Sequence, residues 1–257
     1  AVGEAMSASV LFDAPGPKAR RRHLLITLLA ALVLLGLVAV ALVRLEARGE
    51  LEPAKWKAMF TQSAWQYYFV PGIVSTLKAA GLAIVLSMVF GLVFGMGRLS
   101  QHTVIRWVSG AVVEFFRGTS LVVQLFWLYY VMPLFGVSWD AVLTGVIALG
   151  LNYGAYGAEI VRGSINAVDR GQWEGATALN MSPLTRMRRI IWPQAWVLML
   201  SGYNNLLVML IKGTAVALFI GLQDLTYEID ELRASTGDTI LAFGVGLVIY
   251  YLIALVF

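Results

Sequence analysis

Few residues of this chain could do chemistry, and they fall into three groups. The first is Glu159, three residues before Arg162 in the run NYGAYGAEIVRG. Positions i and i+3 are neighbours on a helix face. The two therefore either make a structural ion pair or set a carboxylate on a polar pathway or gate. Glu114 and Arg117 repeat the spacing, and there an ion pair is the plainer reading. The second group is neutral and polar but embedded in long apolar runs: Asn152, Tyr153 and Tyr156, then Asn204 and Asn205. Side-chain amides and hydroxyls at such places either bind a polar solute or bond helix to helix. Adjacent helical positions point about 100° apart, which favours Asn152, Tyr153 and Asn204 over Tyr156 and Asn205 as a lining. The third group is the polar, basic stretch AVDRGQWEGATALNMSPLTRMRRIIWPQA, where Glu174 is the conspicuous acid.

Several chemistries are excluded. There is no cysteine, so thiolate metal sites, disulfides and a cysteine nucleophile drop out. The two histidines, His23 and His102, are far apart, which argues against a histidine metal site or a Ser/His/Asp arrangement. No lysine follows a glycine, so the phosphate-cradling G-x-x-x-x-G-K-[ST] loop is absent. A membrane-embedded hydrolase or transferase would need paired acids or histidines in its spans, and Glu159 alone is poor support. No catalytic, metal or cofactor site is expected.

The elements that must position these groups are membrane helices. Apolar residues make up 59% of the 257 residues and charged ones 13%, with a mean hydropathy of +0.77. So few charges could not cover a soluble globule, whose charged share is about a quarter. Six apolar runs reach the length needed to cross about 30 Å of hydrocarbon. They are 24–43, 72–97, 121–135 with an apolar lead-in from Val108, 141–160, 193–211 and 239–257. With no water to bond the backbone, such runs must be helices. The first is too long for a signal-peptide core and no small-residue cleavage site follows it, so it reads as a retained anchor. Residues 1–17 read as disordered, and 1–23 as a cytoplasmic tail. Segment 44–70 reads as an external loop.

Lys and Arg set the orientation. Twelve of the 19 fall in the tail, 98–117 and 162–189. These segments are on one side if both termini are cytoplasmic. The pI near 9.4 is then a mark of inward loops and needs no nucleic acid. Lys78 and Lys212, near outer span ends, can snorkel. The GxxxG of Gly91–Gly95 suits close helix packing. Thr214–Leu222 is too short to span and reads as interfacial or re-entrant.

The inner segment between the fourth and fifth spans has its own local logic. A short helix over Gln172–Leu179 can be capped by Asp169. Asn180 is one of the few residues that tolerate a left-handed backbone after a helix. Ser182-Pro183 is an N-cap followed by proline at the first helical position. Two short helices at a sharp angle result, the second ending near Pro193, where the fifth span starts.

This segment resembles the cytoplasmic signature of permease subunits of type I, binding-protein-dependent ABC importers: EAA, three residues, G, nine residues, I-x-LP. Here Glu174-Gly175-Ala176, Asn180, Ile190 and Trp192-Pro193 keep the spacing, with Gly175, Asn180 and Trp192 as departures. Within that class, EFFRGTSLVVQLF (Glu114–Phe126), Asn152–Ala176 and NNLLVMLIKGTAV (Asn204–Val216) are similar to the polar amino-acid branch, which also includes carriers of ectoine-type solutes. Gly213 and Ala215 depart from the branch's K-[DN]-T-S.

The resemblance runs from about Pro71 to Phe257. It implies an all-α polytopic protein in the bacterial plasma membrane, with a five-helix importer core at 71–257, an extra N-terminal helix and a coupling-helix region at 169–192. It also implies a second permease subunit, identical or paralogous, an extracytoplasmic solute-binding protein, and two ATPase subunits that hold ATP and Mg. Membrane lipid completes the set, and nucleic acid is not expected. ATPase coupling falls to Gln172, Glu174, Gly175, Ala176, Leu179, Asn180 and Pro183. The pathway or gate falls to Asn152, Tyr153, Tyr156, Glu159, Asn204 and Asn205. The alternative is a secondary transporter working without ATPases, which predicts internal repeats and usually more spans; neither is evident.

Overall fold

A computed structural model describes residues 16–256; of the disorder expected over 1–17, residues 1–15 lie outside the described residues, and Pro17 is helical. The chain divides into two compact units, at residues 56 and 57. In the first unit α1 (Pro17–Ala47) is 31 residues long. It starts earlier than expected. Pro17 stands in its first turn, where the missing N–H costs nothing, and the basic run 18–22 assigned to a tail is helical. Its leucines and valines are exposed on every side, as suits a helix with an apolar neighbour all round.

The second unit holds the remaining helices: α2 (Pro53–Met59), which begins before the boundary, α3 (Gln62–Ala64), α4 (Val70–Arg98), α5 (Thr103–Gly118), α6 (Leu121–Phe126), α7 (Ala141–Asn166), α8 (Arg170–Ala178), α9 (Pro183–Arg186), α10 (Trp192–Gly213), α11 (Leu225–Thr236) and α12 (Thr239–Val256). Among the described residues there is no strand, and five helical runs are long and apolar enough to cross a membrane. A sixth is counted if the bent pair 103–118 and 121–135 is one span. That pair bends by 100° at Gly118–Ser120, so the expected apolar lead-in is a helix of its own.

Three stretches widen to π geometry: Trp65–Phe69, Trp127–Val131 and Met187–Ile191. Each precedes a proline by two residues: Pro71, Pro133 and Pro193. Proline offers no N–H to the carbonyl four residues back and its ring pushes that carbonyl away. The preceding turn accommodates it by bonding i to i−5, as Val70 N–H does to the Trp65 carbonyl. The helices therefore do not stop where prolines suggested. The second span runs 62–98, taking its first residues from the expected external loop, and 183–220 is a single helical run through Pro193.

The main core lies where α4, α7 and α10 meet, with Ala83, Leu149, Val161, Met199, Leu206 and Leu210 buried between them. Small residues make the α4–α7 crossing close. A Cβ added at Gly95 would stand 2.8 Å from the Ala158 carbonyl oxygen and 2.8 Å from Val161 Cβ. Gly91 is similarly placed, 3.1 Å from the Gly157 backbone. The GxxxG is thus a packing seam. A second core, at the end away from α8, joins Phe69, Leu225, Ile229, Leu232, Leu241 and Val245. Beside it Thr214–Ile220 forms a 3-10 turn with Thr214, Ala217 and Ile220 buried, which continues the helical run of α10.

Candidate functional site

The α8–α9 connector folds for the reasons its sequence gives. The Asp169 carboxylate accepts from Gly171 N–H at 2.7 Å and starts α8. Asn180 has φ +50°, the one positive value at a non-glycine among the described residues, and turns the chain sharply. The Ser182 hydroxyl accepts from Thr185 N–H at 3.3 Å, and Pro183 enters at the first turn of α9. Contacts less visible in sequence then lock the elbow. Arg186 donates to the Thr177 hydroxyl at 2.9 Å and stacks over the Trp173 ring at 5.3 Å. Gln194, on α10, donates to Gln172 Oε1 at 3.2 Å.

These ties sort the expected docking residues. Gln172 is engaged in the tie to α10 and Ala176 is buried inside the chain. Gln172 is nonetheless exposed, while Ala176 packs inward and helps to hold the elbow. Glu174, Gly175, Leu179, Asn180 and Pro183 are exposed. Leu179 and Leu184 are each 78% exposed, two bare leucines flanking one turn. Nothing lies within 4 Å of where a Gly175 side chain would begin.

At the same end of the bundle, Glu159 is more heavily paired than its spacing with Arg162 foretold. It accepts from Arg162 Nη2 at 2.8 Å and from Arg98 Nη1 at 2.6 Å. Arg98 also reaches Glu114 at 2.9 Å, and Arg117 approaches the same carboxylate at 3.4 Å. One carboxylate network thus joins α4, α5 and α7. Arg98 ends α4, far in sequence from both acids, and no local spacing marks it as their partner. Arg98 and Glu159 are 18% and 21% exposed, shielded enough for the pairing to matter more than at a free surface.

Toward the middle of the bundle, the bend between α5 and α6 leaves the Phe116 carbonyl outside a regular helix. The amides of Asn152 and Gln124 both donate to it, each at 2.9 Å. Asn152 is thereby a helix tie, and Gln124 is a partner the sequence reading passed over, although it is a lone amide in the apolar run LVVQLF. Tyr153 is buried against Gly213 of α10. Tyr156 is partly exposed, its ring under the Arg117 guanidinium at 5.5 Å. Asn204 opens onto a cavity of about 200 Å³ with Met88, Trp196 and Tyr203, and Asn205 beside it is exposed. The structure joins Glu159 to a network but does not bring Asn152 and Asn204 to one cavity.

At the far end, Asp224 caps α11 and is fully buried. It accepts from Tyr227 N–H at 3.0 Å and from the Tyr250 hydroxyl at 3.1 Å. Burial pushes its carboxyl up to about 6, against the pull of those donors. Among the described residues no group of His, Cys, Asp and Glu could hold a metal.

Comparison with known proteins places the chain among transporters. Residues 83–257 match the family model of the binding-protein-dependent transport system inner membrane component. A probable amino-acid ABC transporter permease protein of Sinorhizobium fredii is 43% identical over 180 residues, 66% of this chain and 76% of that protein. The L-cystine transport system permease protein of Bacillus subtilis is 36% identical over 170 residues, 66% of this chain and 73% of that protein. In a crystal structure of an amino acid ABC transporter with histidines, one chain superimposes with a TM-score of 0.70 at 34% identity. The match covers 73% of this chain and 88% of that one.

Proposed function

Since the chain belongs to the family of binding-protein-dependent transport system inner membrane components, we propose that it is the permease of an importer for amino acids, in the bacterial inner membrane with both termini in the cytoplasm. The names of its relatives support amino acids as the class, and polar amino acids or small zwitterions suit the amides within its spans. Two permeases, identical or paralogous, enclose the pathway. Two ATPases, which carry the ATP and Mg, drive it from the cytoplasm, and an external binding protein delivers the solute. Family membership favours this reading over a secondary transporter working alone.

The observation that carries the mechanism is the locked elbow. Glu174 on α8, Leu179 at its C-terminal cap and Leu184 on α9 stand outward on an elbow that Arg186, Trp173 and Gln194 tie together and fix to α10. A helix docked in a groove of the ATPase and rigidly fused to a span moves that span when the ATPases close. Glu174 supplies charge complementary to a basic rim, and the two leucines supply apolar area of about 1.5–3 kcal/mol each when fully covered. Asn204 and Asn205, exposed midway along α10, then face the pathway or the second permease. A bare amide facing lipid has no partner there, which disfavours that alternative.

Purification of the full chain from its native membrane tests this. An ATPase is expected to accompany the wild type, with recovery reduced at least tenfold by Glu174→Arg. A wild-type chain that emerges alone and still moves amino acid without nucleotide overturns the proposal.

A further inference from the structure

The α8 end of the bundle carries a second feature that neither coupling nor the pathway explains. A groove of about 540 Å³ opens between the last turn of α4, the first turns of α5 and the end of α7. Its polar lining is three guanidinium groups, Arg98, Arg106 and Arg162, with the Glu114 carboxylate and Thr103. Two carboxylates, Glu114 and Glu159, face four arginines once Arg117 is included, so the cluster is positive by two charges. Among the described residues Arg106 reaches no carboxylate within 4 Å; its guanidinium donates to the Ser100 carbonyl at 3.2 Å. The N-terminus of α5 also opens here. The side chain of His102, at its N-cap, does not cap the first-turn amides, and the first turn holds no acid. The first-turn amides and the helix dipole therefore add to the positive field.

Trp107 lines the groove, and the first turns of α5 beside it are apolar. Val104 and Trp107 are each 74% exposed, and Ile105 and Val108 are about half exposed, on the first turns of α5. α5 is thus an amphipathic helix with its basic residue beside its tryptophan, at the end of a membrane bundle. Tryptophan sits where apolar tails meet head groups, and basic pockets between membrane helices on the cytoplasmic side take anionic head groups.

We propose that this groove is a binding site for an anionic phospholipid. The phosphodiester lies between Arg106, Arg162 and the α5 N-terminus, and the acyl chains lie along Val104 and Trp107. A free phosphate shares the chemistry of the first half but gains nothing from the apolar turns of α5. Assignment to the inner leaflet rests on the orientation proposed above; the chemistry of the groove does not.

Native mass spectrometry of the full-length chain in mild detergent tests the site, with phosphatidylglycerol, phosphatidylcholine and inorganic phosphate as probes. Phosphatidylglycerol is expected to remain bound to the wild type and phosphatidylcholine to be lost. Arg106→Gln is expected to lower the bound fraction about fivefold, the effect of one basic residue near an anionic surface. Lys78→Gln, about 30 Å along α4 from Arg98 at 1.5 Å per residue, leaves it unchanged. Both side chains are exposed, so neither variant threatens the fold. Equal retention by wild type and Arg106→Gln overturns the site. So does displacement of the lipid by millimolar phosphate, and so does a groove closed by a second permease chain with no lipid retained. Co-purification of the ATPase with Arg106→Gln, whatever the lipid result, separates failure of this site from failure of the importer reading.

Discussion

Single side chains divide into those whose partners are local and those whose partners are not. Glu159 and Arg162 were legible because i, i+3 spacing makes them neighbours on any helix. Arg98, the stronger partner by distance, comes from another helix and leaves no trace in the local pattern. The sequence leaves Asn152 open between pathway and helix tie, and in the structure the Phe116 carbonyl takes its amide. Asp224 shows what a buried acid without a cation does. Its folded value of about 6 stands above the ordinary value near 3.9, so the charged form is the disfavoured one. Its contribution to stability is full below about pH 4 and is lost as pH rises through 6. Asp224→Asn keeps an acceptor for Tyr227 N–H and removes the titration. Between pH 5 and 7.5 the wild type is therefore expected to lose about 1–1.5 kcal/mol of stability relative to the variant, roughly the second half of the whole effect. Paired thermal melts of the two proteins across that range check it; a constant difference would falsify the assignment.

Elements were legible where capping and turn chemistry are local, and the connector is the best case. Asp169, Asn180 and Ser182-Pro183 each do what their types imply. Prolines misled at the boundaries. A proline reads as a helix end in sequence, yet a preceding wide turn lets the helix continue through Pro71 and Pro193. The bend at Gly118–Ser120 was hidden inside one apolar run because hydropathy carries no direction. The elbow gives an element-scale prediction. Arg186→Gln removes the stacking on Trp173 and weakens the tie to Thr177, at a cost of about 1–2 kcal/mol together. It leaves Glu174, Leu179 and Leu184 in place. ATPase binding is expected to persist while solute moved per ATP hydrolysed falls several-fold, measured in proteoliposomes with the purified complex. A variant that transports with wild-type stoichiometry shows that the lock is dispensable.

For the whole molecule, class was set by composition and spans by length, since 13% charge and runs of 20 apolar residues leave no other solvent than lipid. The order of helix contacts was not legible, because the α4–α7 seam depends on which glycines face each other across 60 residues of chain. The two units predict that a chain starting at Lys57 keeps its own cores, all of whose members lie beyond that residue. Such a truncation is expected to insert and to co-purify with the ATPase at near wild-type yield; loss of expression would assign the first unit a structural duty. Each proline holds its wide turn in place, and a π turn contains one more residue than an α turn spans. One residue is about 100° of azimuth and 1.5 Å of rise. Pro193 thereby clocks α10 against the elbow, fixing which compass bearing Asn204 takes when α8 is engaged. Adding a single residue between Pro183 and Asn204 swings the buried Tyr203 to the bearing Asn204 held, and deleting one swings the open Asn204 to the bearing Tyr203 held. The length of that segment is as much a part of the machine as any side chain on it.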